Sequence, residues 1–329
     1  MNPRRLRVAV LNRNFVSTGG GAERYSIALV EALAEQHDIH VFAQSIDHAW
    51  PGVTYHRVPA LFRRPRWINQ LWYATVTWWA TRRGFDVVHS HENTWHGNVQ
   101  TVHVLPINYS LFAGRKGWHL ALRWLKAITS LRLLAYLWLE ARRFAPRPGR
   151  QIVVTSETLR RIVARSHPEA KHMLATLTPG IAQVHGDGAG ASKQAARRHL
   201  GLPAEGPVIL FVANDFRKKG LGVLLKALAT LAPEVTLAVV GNPVHAKSFA
   251  ESVNAPGLKG RVVFLGQLKQ VDLAYQAADC LAHPTLEDTF AMVVLEAMSW
   301  GLPVVVSGGK YCGISDLLSD GHNALLLAD

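Results

Sequence analysis

The chain has 329 residues, 49% of them apolar and 18% charged, with 36 Lys+Arg against 23 Asp+Glu and a formal net charge of +13. This composition excludes a disordered or fibrous chain, and the length allows two domains with separate cores. Only two cysteines occur, Cys280 and Cys312, which excludes a disulfide-rich scaffold and predicts buried free thiols in a reducing cytosol.

The basic N-terminus runs straight into a short apolar strand at 7–11. It lacks the long apolar core and small-residue cleavage site of a signal peptide. A glycine-rich loop follows, then a helix over 22–36 and strands at 39–43, 86–89 and 151–155, the last expected to close the first half. Residues 177–192, with His185-Gly186-Asp187, read as a linker. The pattern then restarts, with strands at 207–212, 236–241, 262–266, 279–283 and 303–307. Helices are expected over 221–232, 271–277 and 296–300. Such β-α repetition in two blocks predicts an α/β protein of two doubly wound parallel sheets, over residues 1–178 and 179–329. Both sets of carboxyl strand ends are expected to face one interdomain cleft.

The informative residues fall after strands. Gly19-Gly20-Gly21-Ala22-Glu23 opens the first helix, where an anionic group could approach the backbone. It is neither a GxGxxG loop nor a Walker A loop, and a plain glycine-rich turn fits equally well. Asn214-Asp215-Phe216-Arg217-Lys218-Lys219-Gly220 follows the first strand of the second block. There Arg217 offers a fork and Lys219 a point charge to a diphosphate, against the alternative of a solvated basic turn. In 283–301 a polar loop carries Glu287 and Asp288, and Glu296 lies eight residues after Asp288, at the start of the expected helix. Carboxylates accept hydrogen bonds from sugar and ribose hydroxyls, and the amides between them are available where a helix begins. A solvated loop before an amphipathic helix is the alternative.

His89, His91, Glu92, His96 and His103 fall close together. Their spacing matches no closed zinc site, so no metal is expected; an imidazole lining a cleft against a sugar hydroxyl or phosphate is the favoured reading, with satisfied structural histidines as the alternative. Residues 61–150 hold 14 Lys+Arg against 3 Asp+Glu and eight of the ten tryptophans. That pairing suggests nucleic acid, an anionic membrane surface or an anionic acceptor, and no nucleic-acid motif supports the first. In 118–130, His119, Arg123, Lys126 and Ser130 form a polar stripe, with Leu120, Leu122, Trp124 and Leu125 elsewhere around the helix. The apolar run 120–139 approaches the length of a span, but Arg123, Lys126 and Arg132 argue against crossing a bilayer. A helix on the inner membrane surface, or lining the acceptor groove, is expected; ordinary packing on the core is the alternative.

Together these motifs resemble the family-4 retaining glycosyltransferases of the GT-B fold, and most of all their lipopolysaccharide core glucosyltransferase branch. Asp288, Phe290 and Glu296 take the places of that family's acid, Phe and Glu signature, with Asp where Glu is usual and Ala291 where Gly is frequent. The resemblance implies that Asp288 or Glu287, with the backbone at Phe290, Ala291 and Met292, grips the donor sugar, that Glu296 holds the ribose, and that Arg217 and Lys219 hold the diphosphate. Gly20 and Gly21 match the family's N-terminal glycine loop, and His103 resembles the histidine that contacts the transferred sugar. It further implies a donor-binding C-terminal domain, an acceptor-binding N-terminal domain, and hexose transfer with retention from a nucleoside-diphosphate sugar, a UDP-sugar, without metal or separate cofactor. Domain closure would assemble the site. The implied acceptor is an anionic glycan or lipid-linked glycan of the cell envelope, and the implied location is the cytoplasmic face of the membrane. Members of the family continue past the run Asp-Gly-His-Asn-Ala-Leu-Leu-Leu at 320–327, which leaves open a fragment or a truncated reading frame.

Three rivals stand beside this reading. A glycoside hydrolase also uses paired carboxylates but has no need of Arg217 and Lys219. A sugar-nucleotide epimerase of related fold would convert donor without any acceptor. A binding module would tolerate Glu296→Gln.

Overall fold

The computed structural model describes residues 4–16, 19–62, 64–181 and 193–328, and the chain divides into two compact units, Met1–Pro179 and Gly180–Asp329. The expected linker lies largely at 182–192, outside the described residues.

The first unit contains β1 (Arg7–Leu11), β2 (Asn14–Phe15), β3 (Asp38–Ala43), β4 (Ser45–Ile46), β5 (Val53–Arg57), β6 (Val87–Ser90), β7 (Val99–Val102), β8 (Gln151–Val154) and β9 (Leu174–Thr176). Seven of these form one sheet in the order β5-β3-β1-β6-β7-β8-β9, while β2 and β4 pair separately. Every pairing in the large sheet is parallel. The apolar run of β1 follows from this position, because a central parallel strand is covered on both faces. Val8 and Val10 pack with Ile27, Val30 and Ala34 of the helix Gly21–Ala34. Ala9 and Leu11 point to the opposite face, where Phe42 and Tyr73 cover them.

The second unit contains β10 (Val208–Ala213), β11 (Thr236–Gly241), β12 (Val262–Gly266), β13 (Cys280–His283), β14 (Val304–Ser307) and β15 (Leu325–Leu327), in the order β12-β11-β10-β13-β14-β15. Leu210, Ala238 and Val240 face a core that includes Tyr275, Phe290, Val294 and Ala297. On the other face, Phe211, Leu237 and Val239 meet Leu221, Leu224, Leu225 and Leu228 of the helix Leu221–Leu228. Both sheets therefore reverse direction beside their first strand, between β1 and β6 and between β10 and β13. Each reversal opens a crevice at the carboxyl ends of the strands.

Several expectations need correction. The strand at Gln151–Val154 does not close the first half, because β9 adds to its far edge. The helix expected at 296–300 runs Met292–Ser299, so Glu296 sits in its second turn and not at its start. Its first turn is wholly apolar: Val294 is buried in the sheet-facing core, and Met292, Val293 and Leu295 pack against that core. The apolar run at 120–139 is two helices, Gly117–Thr129 and Leu131–Phe144. Ser130 separates them in extended conformation and caps the second by accepting from the Leu133 amide at 3.4 Å. Ser130 is thus a cap and not the last member of a continuous helical stripe. Cys312 is buried and Cys280 half-buried, both as free thiols.

Candidate functional site

In the second unit the loops leaving β10 and β13 are fastened to each other. Leu286 donates its amide to the Lys218 carbonyl at 2.9 Å, and the Lys219 ammonium donates to the Glu287 carbonyl at 2.8 Å. Gly220 lies against Pro284 at φ +85°, where a Cβ would fall 1.8 Å from the Pro284 oxygen. Only glycine permits that approach, and it brings the basic run of one loop to the acidic run of the other.

The two adjacent acids separate. Glu287 faces outward to an ion pair with Lys218 at 3.0 Å, both side chains being well exposed. Asp288 points inward, with 14% of its side chain exposed. Its Oδ2 accepts from Lys219 Nζ at 2.7 Å and from the buried His283 Nε2 at 3.0 Å. Its Oδ1 accepts from the amides of Phe290 at 3.3 Å and Ala291 at 3.0 Å. A carboxylate offers about four lone-pair positions, and protein donors take this number. Burial alone would raise the Asp288 carboxyl, but the His283 hydrogen bond and the Lys219 charge outweigh it and hold the group well below the usual carboxylate range.

Asp288 also fixes the backbone. Its amide donates to the Tyr311 carbonyl at 2.7 Å, its carbonyl accepts from Gly313 at 3.0 Å, and Phe290 accepts from Ile314 at 2.9 Å. Ala291 then caps the helix Met292–Ser299 at φ +74°, the one non-glycine residue with positive φ among those described. A left-handed alanine costs roughly 1–2 kcal/mol, and such strain persists where surrounding bonds over-determine the backbone. Met292 opens the helix. Glu296, one turn further on, accepts from the Tyr275 hydroxyl at 2.6 Å. Arg217 is exposed at the edge of the same loop.

In the first unit the residues after β1, β6 and β7 gather. Gly20 is the N-cap of the helix Gly21–Ala34 and Gly21 its first residue, while Ser17 and Thr18 lie outside the described residues. The Arg13 amide and guanidinium engage the Glu92 carboxylate, at 3.1 and 3.5 Å. His91 Nδ1 and His103 Nε2 share a hydrogen bond of 3.0 Å, their rings stack 5.3 Å apart, and His89 meets Thr101 at 2.7 Å. The Tyr25 ring lies edge-on to both His91 and His103. Beneath them the buried Arg143 donates to Gln100 and to the Thr101 carbonyl. Burial pushes His89 down to about 4; burial and the Arg143 charge push His103 down to about 3; burial and the charges of His89, His103 and Arg143 hold His91 well below the usual histidine range. At neutral pH these imidazoles are neutral hydrogen-bonding groups. His96 sits apart, beside Trp95, so it does not join them.

His283, Tyr275 and Arg143 escaped sequence reasoning. His283 stands five residues before Asp288 at a strand end and carried a readable signal. Tyr275 and Arg143 are reached only through the fold.

Two doubly wound units of this order, each with its polar side chains gathered at the switch point, define a GT-B fold. Residues 19–182 match the model described as Glycosyltransferase Family 4, and residues 192–329 match Glycosyl transferases group 1. The chain belongs to the family-4 glycosyltransferases. A D-inositol 3-phosphate glycosyltransferase of Xylanimonas cellulosilytica is 28% identical over 284 residues, covering 74% of this chain and 62% of that protein. The enzyme of the same name from Corynebacterium urealyticum is 33% identical over 186 residues, covering 51% and 44%. The chain thus spans about half the length of the curated relatives it matches. Among solved structures, WaaG, a glycosyltransferase involved in lipopolysaccharide biosynthesis, superposes with a TM-score of 0.83 at 21% identity, over 98% of this chain and 86% of that one. Anabaena Alr3699/HepE in complex with UDP-glucose superposes with a TM-score of 0.72 at 18% identity, over 98% and 85%. At these identities the shared property is the fold.

Proposed function

We propose that the chain transfers a hexose, with retention, from a UDP-sugar to a hydroxyl of an anionic glycan or glycolipid of the cell envelope. The observation that carries this reading is the Lys219 ammonium, held by Asp288 and the Glu287 carbonyl at the β10/β13 crevice. An ammonium has three N–H donors; in this reading the third meets the diphosphate, and the exposed Arg217 adds a second cation. Charge grows on the diphosphate as the glycosidic bond breaks, and these cations stabilise it without a metal ion. Glu296 takes the ribose hydroxyls. Asp288 organises Lys219 and the Phe290–Ala291 backbone; to touch the sugar itself it must exchange one of its present donors. Glu287 is the alternative sugar contact. The neutral His103, and the amides at Gly20 and Gly21, are the polar groups that the first unit offers to sugar or phosphate.

The solved complex of Alr3699/HepE with UDP-glucose supports a uridine donor, and relatives named for D-inositol 3-phosphate support an acceptor that carries an anion. The test is a thermal-shift panel of UDP, GDP and ADP on wild type and Glu296→Gln. UDP should give the largest stabilisation, and the variant should lose most of it. A folded protein that responds to no nucleotide would sink the reading.

We further propose that the exposed apolar face of residues 117–138 lies on an anionic membrane surface, while Leu139, Arg143 and Phe144 at the end of the second helix stay buried in the first unit. Packing on the core would hide their apolar side chains, yet Trp118 is 66% exposed, Trp124 53% and Leu131 73%, with Leu122, Leu125 and Ile128 also exposed. Arg115, Lys116, Arg123, Lys126 and Arg132 accompany them, and no helix among the described residues is long and apolar enough to cross a membrane. Apolar side chains at the headgroup boundary with cations at lipid phosphates are the signature of interfacial helices. Wild type should co-sediment with phosphatidylglycerol vesicles more than with phosphatidylcholine vesicles, and the pair Trp118→Ser with Trp124→Ser should weaken this. Equal sedimentation of wild type and variant would refute the assignment.

A further inference from the structure

We infer that Tyr275 is a positioning residue for nucleotide recognition: its hydroxyl sets the Glu296 carboxylate in the orientation that receives the ribose. This rests on Glu296 as the ribose group proposed above. Tyr275 lies on the helix Asp272–Ala277, the residue 1% exposed in the core of the second unit. That core also holds Phe290, Val294 and Ala297, from the same segment that carries Glu296. The ring is therefore immobile relative to the helix Met292–Ser299, and its hydroxyl donates to Glu296 Oε2 at 2.6 Å. This is the short distance of a charge-assisted O–H···O⁻ bond.

A glutamate has three rotatable side-chain bonds, and a half-exposed one samples several rotamers. A ribose diol needs an acceptor at a defined place, so each rotamer that misses it weakens binding in proportion to its population. A donor fixed in the core and aimed at one carboxylate oxygen removes that loss before the nucleotide arrives. Tyr275 fits this task because its ring is locked by packing while its one polar atom reaches the helix surface. A purely structural role, in which Glu296 merely satisfies a buried hydroxyl, makes a different prediction. Removing the hydroxyl would then leave the ribose dependence of binding untouched.

The experiment compares UDP with 2′,3′-dideoxy-UDP by calorimetry, on wild type, Tyr275→Phe, Glu296→Gln and the double variant. A lost hydrogen bond to a charged group is worth roughly tenfold or more in affinity, so wild type should prefer UDP by at least that factor. Glu296→Gln should abolish most of the preference. Tyr275→Phe should lower it by about fivefold while leaving dideoxy-UDP affinity unchanged, and the double variant should match Glu296→Gln because the two act as one unit. If Tyr275→Phe keeps the wild-type preference while Glu296→Gln loses it, the positioning role is refuted and the ribose role of Glu296 survives. If it weakens both nucleotides equally, the effect is general packing and the inference is likewise refuted. A wild type without preference, or one that Glu296→Gln leaves intact, removes the ribose reading and this inference with it.

Discussion

Replacing Lys219 with methionine is expected to slow UDP release from UDP-glucose by about 10²–10³-fold, the usual effect of losing one preorganised group that stabilises transition-state charge. Methionine keeps the apolar stem of lysine, but the nearly buried Asp288 loses its ammonium partner, so stability falls as well and the rates are compared at a temperature where the variant is folded. What disappears is the ammonium that Asp288 and the Glu287 carbonyl hold in place. The neighbouring Lys218 supplies the internal control. Its ammonium is also bonded to an acid of the β13 loop, Glu287, at 3.0 Å, but in an exposed pair, and such pairs contribute little. Lys218→Met should therefore leave the rate within a few-fold of wild type. The assay is UDP release at saturating UDP-glucose, with circular dichroism to confirm folding. Equal losses in the two variants would show that general basicity, and not the held ammonium, matters.

Asp288→Asn is expected to lower stability by about 3 kcal/mol at neutral pH, because removing one partner of a nearly buried pair leaves the other uncompensated. Lys219 loses its counter-charge, and the amide presents a donor or a weaker acceptor to His283. The pH dependence separates this from a packing defect. The folded Asp288 carboxyl lies below its unfolded value of roughly 4, so its contribution is complete above that pH and fades as pH falls below it. The groups facing it are Lys219, His283 and the buried Cys312. His89, His91 and His103 act over a different range. Their folded values are depressed, so both proteins lose stability as pH falls through the unfolded histidine value of roughly 6.5. Urea denaturation from pH 8 to pH 3 should then show parallel losses that begin near pH 6.5 and continue downward, and a gap between wild type and variant that narrows only below about pH 4. A gap constant down to pH 3 would mean that the Asp288 charge is not what stabilises the loop.

Much of the fold was legible because the chemistry of a doubly wound sheet is local. The apolar runs at 7–11 and 236–241 are strands with the expected bounds, since a central strand covered on both faces is largely apolar. Apart from β12, whose apolar run at 262–266 was legible although it lies at an edge, the edge strands gave no such signal. β5 reads Val-Thr-Tyr-His-Arg and is nowhere fully buried; β9 and β15 have three residues each. The helix Arg66–Thr81 was obscured by its β-branched and aromatic residues, Ile68, Thr75, Val76, Thr77, Trp78 and Trp79, whose local preference is weak and which tertiary packing overrides.

The candidate site divides along the same line. Spacing alone placed Arg217 and Lys219 after a strand and set Asp288 eight residues before Glu296, because loop chemistry and signature acids are written in consecutive residues. The partners of those groups were not readable. Lys218 and Glu287 are 69 residues apart and Tyr275 and Glu296 are 21 apart; each pair meets only because β10 lies beside β13 and one helix packs against another. The sequence by itself determined which residues carry charge and at which strand ends they stand. The tertiary structure decided that Glu287 turns to the surface and Asp288 to the interior, that Lys219 is held by an acid, and that the Tyr275 hydroxyl meets Glu296. Burial and partner geometry set those outcomes, and both depend on what the rest of the chain places within a few ångströms.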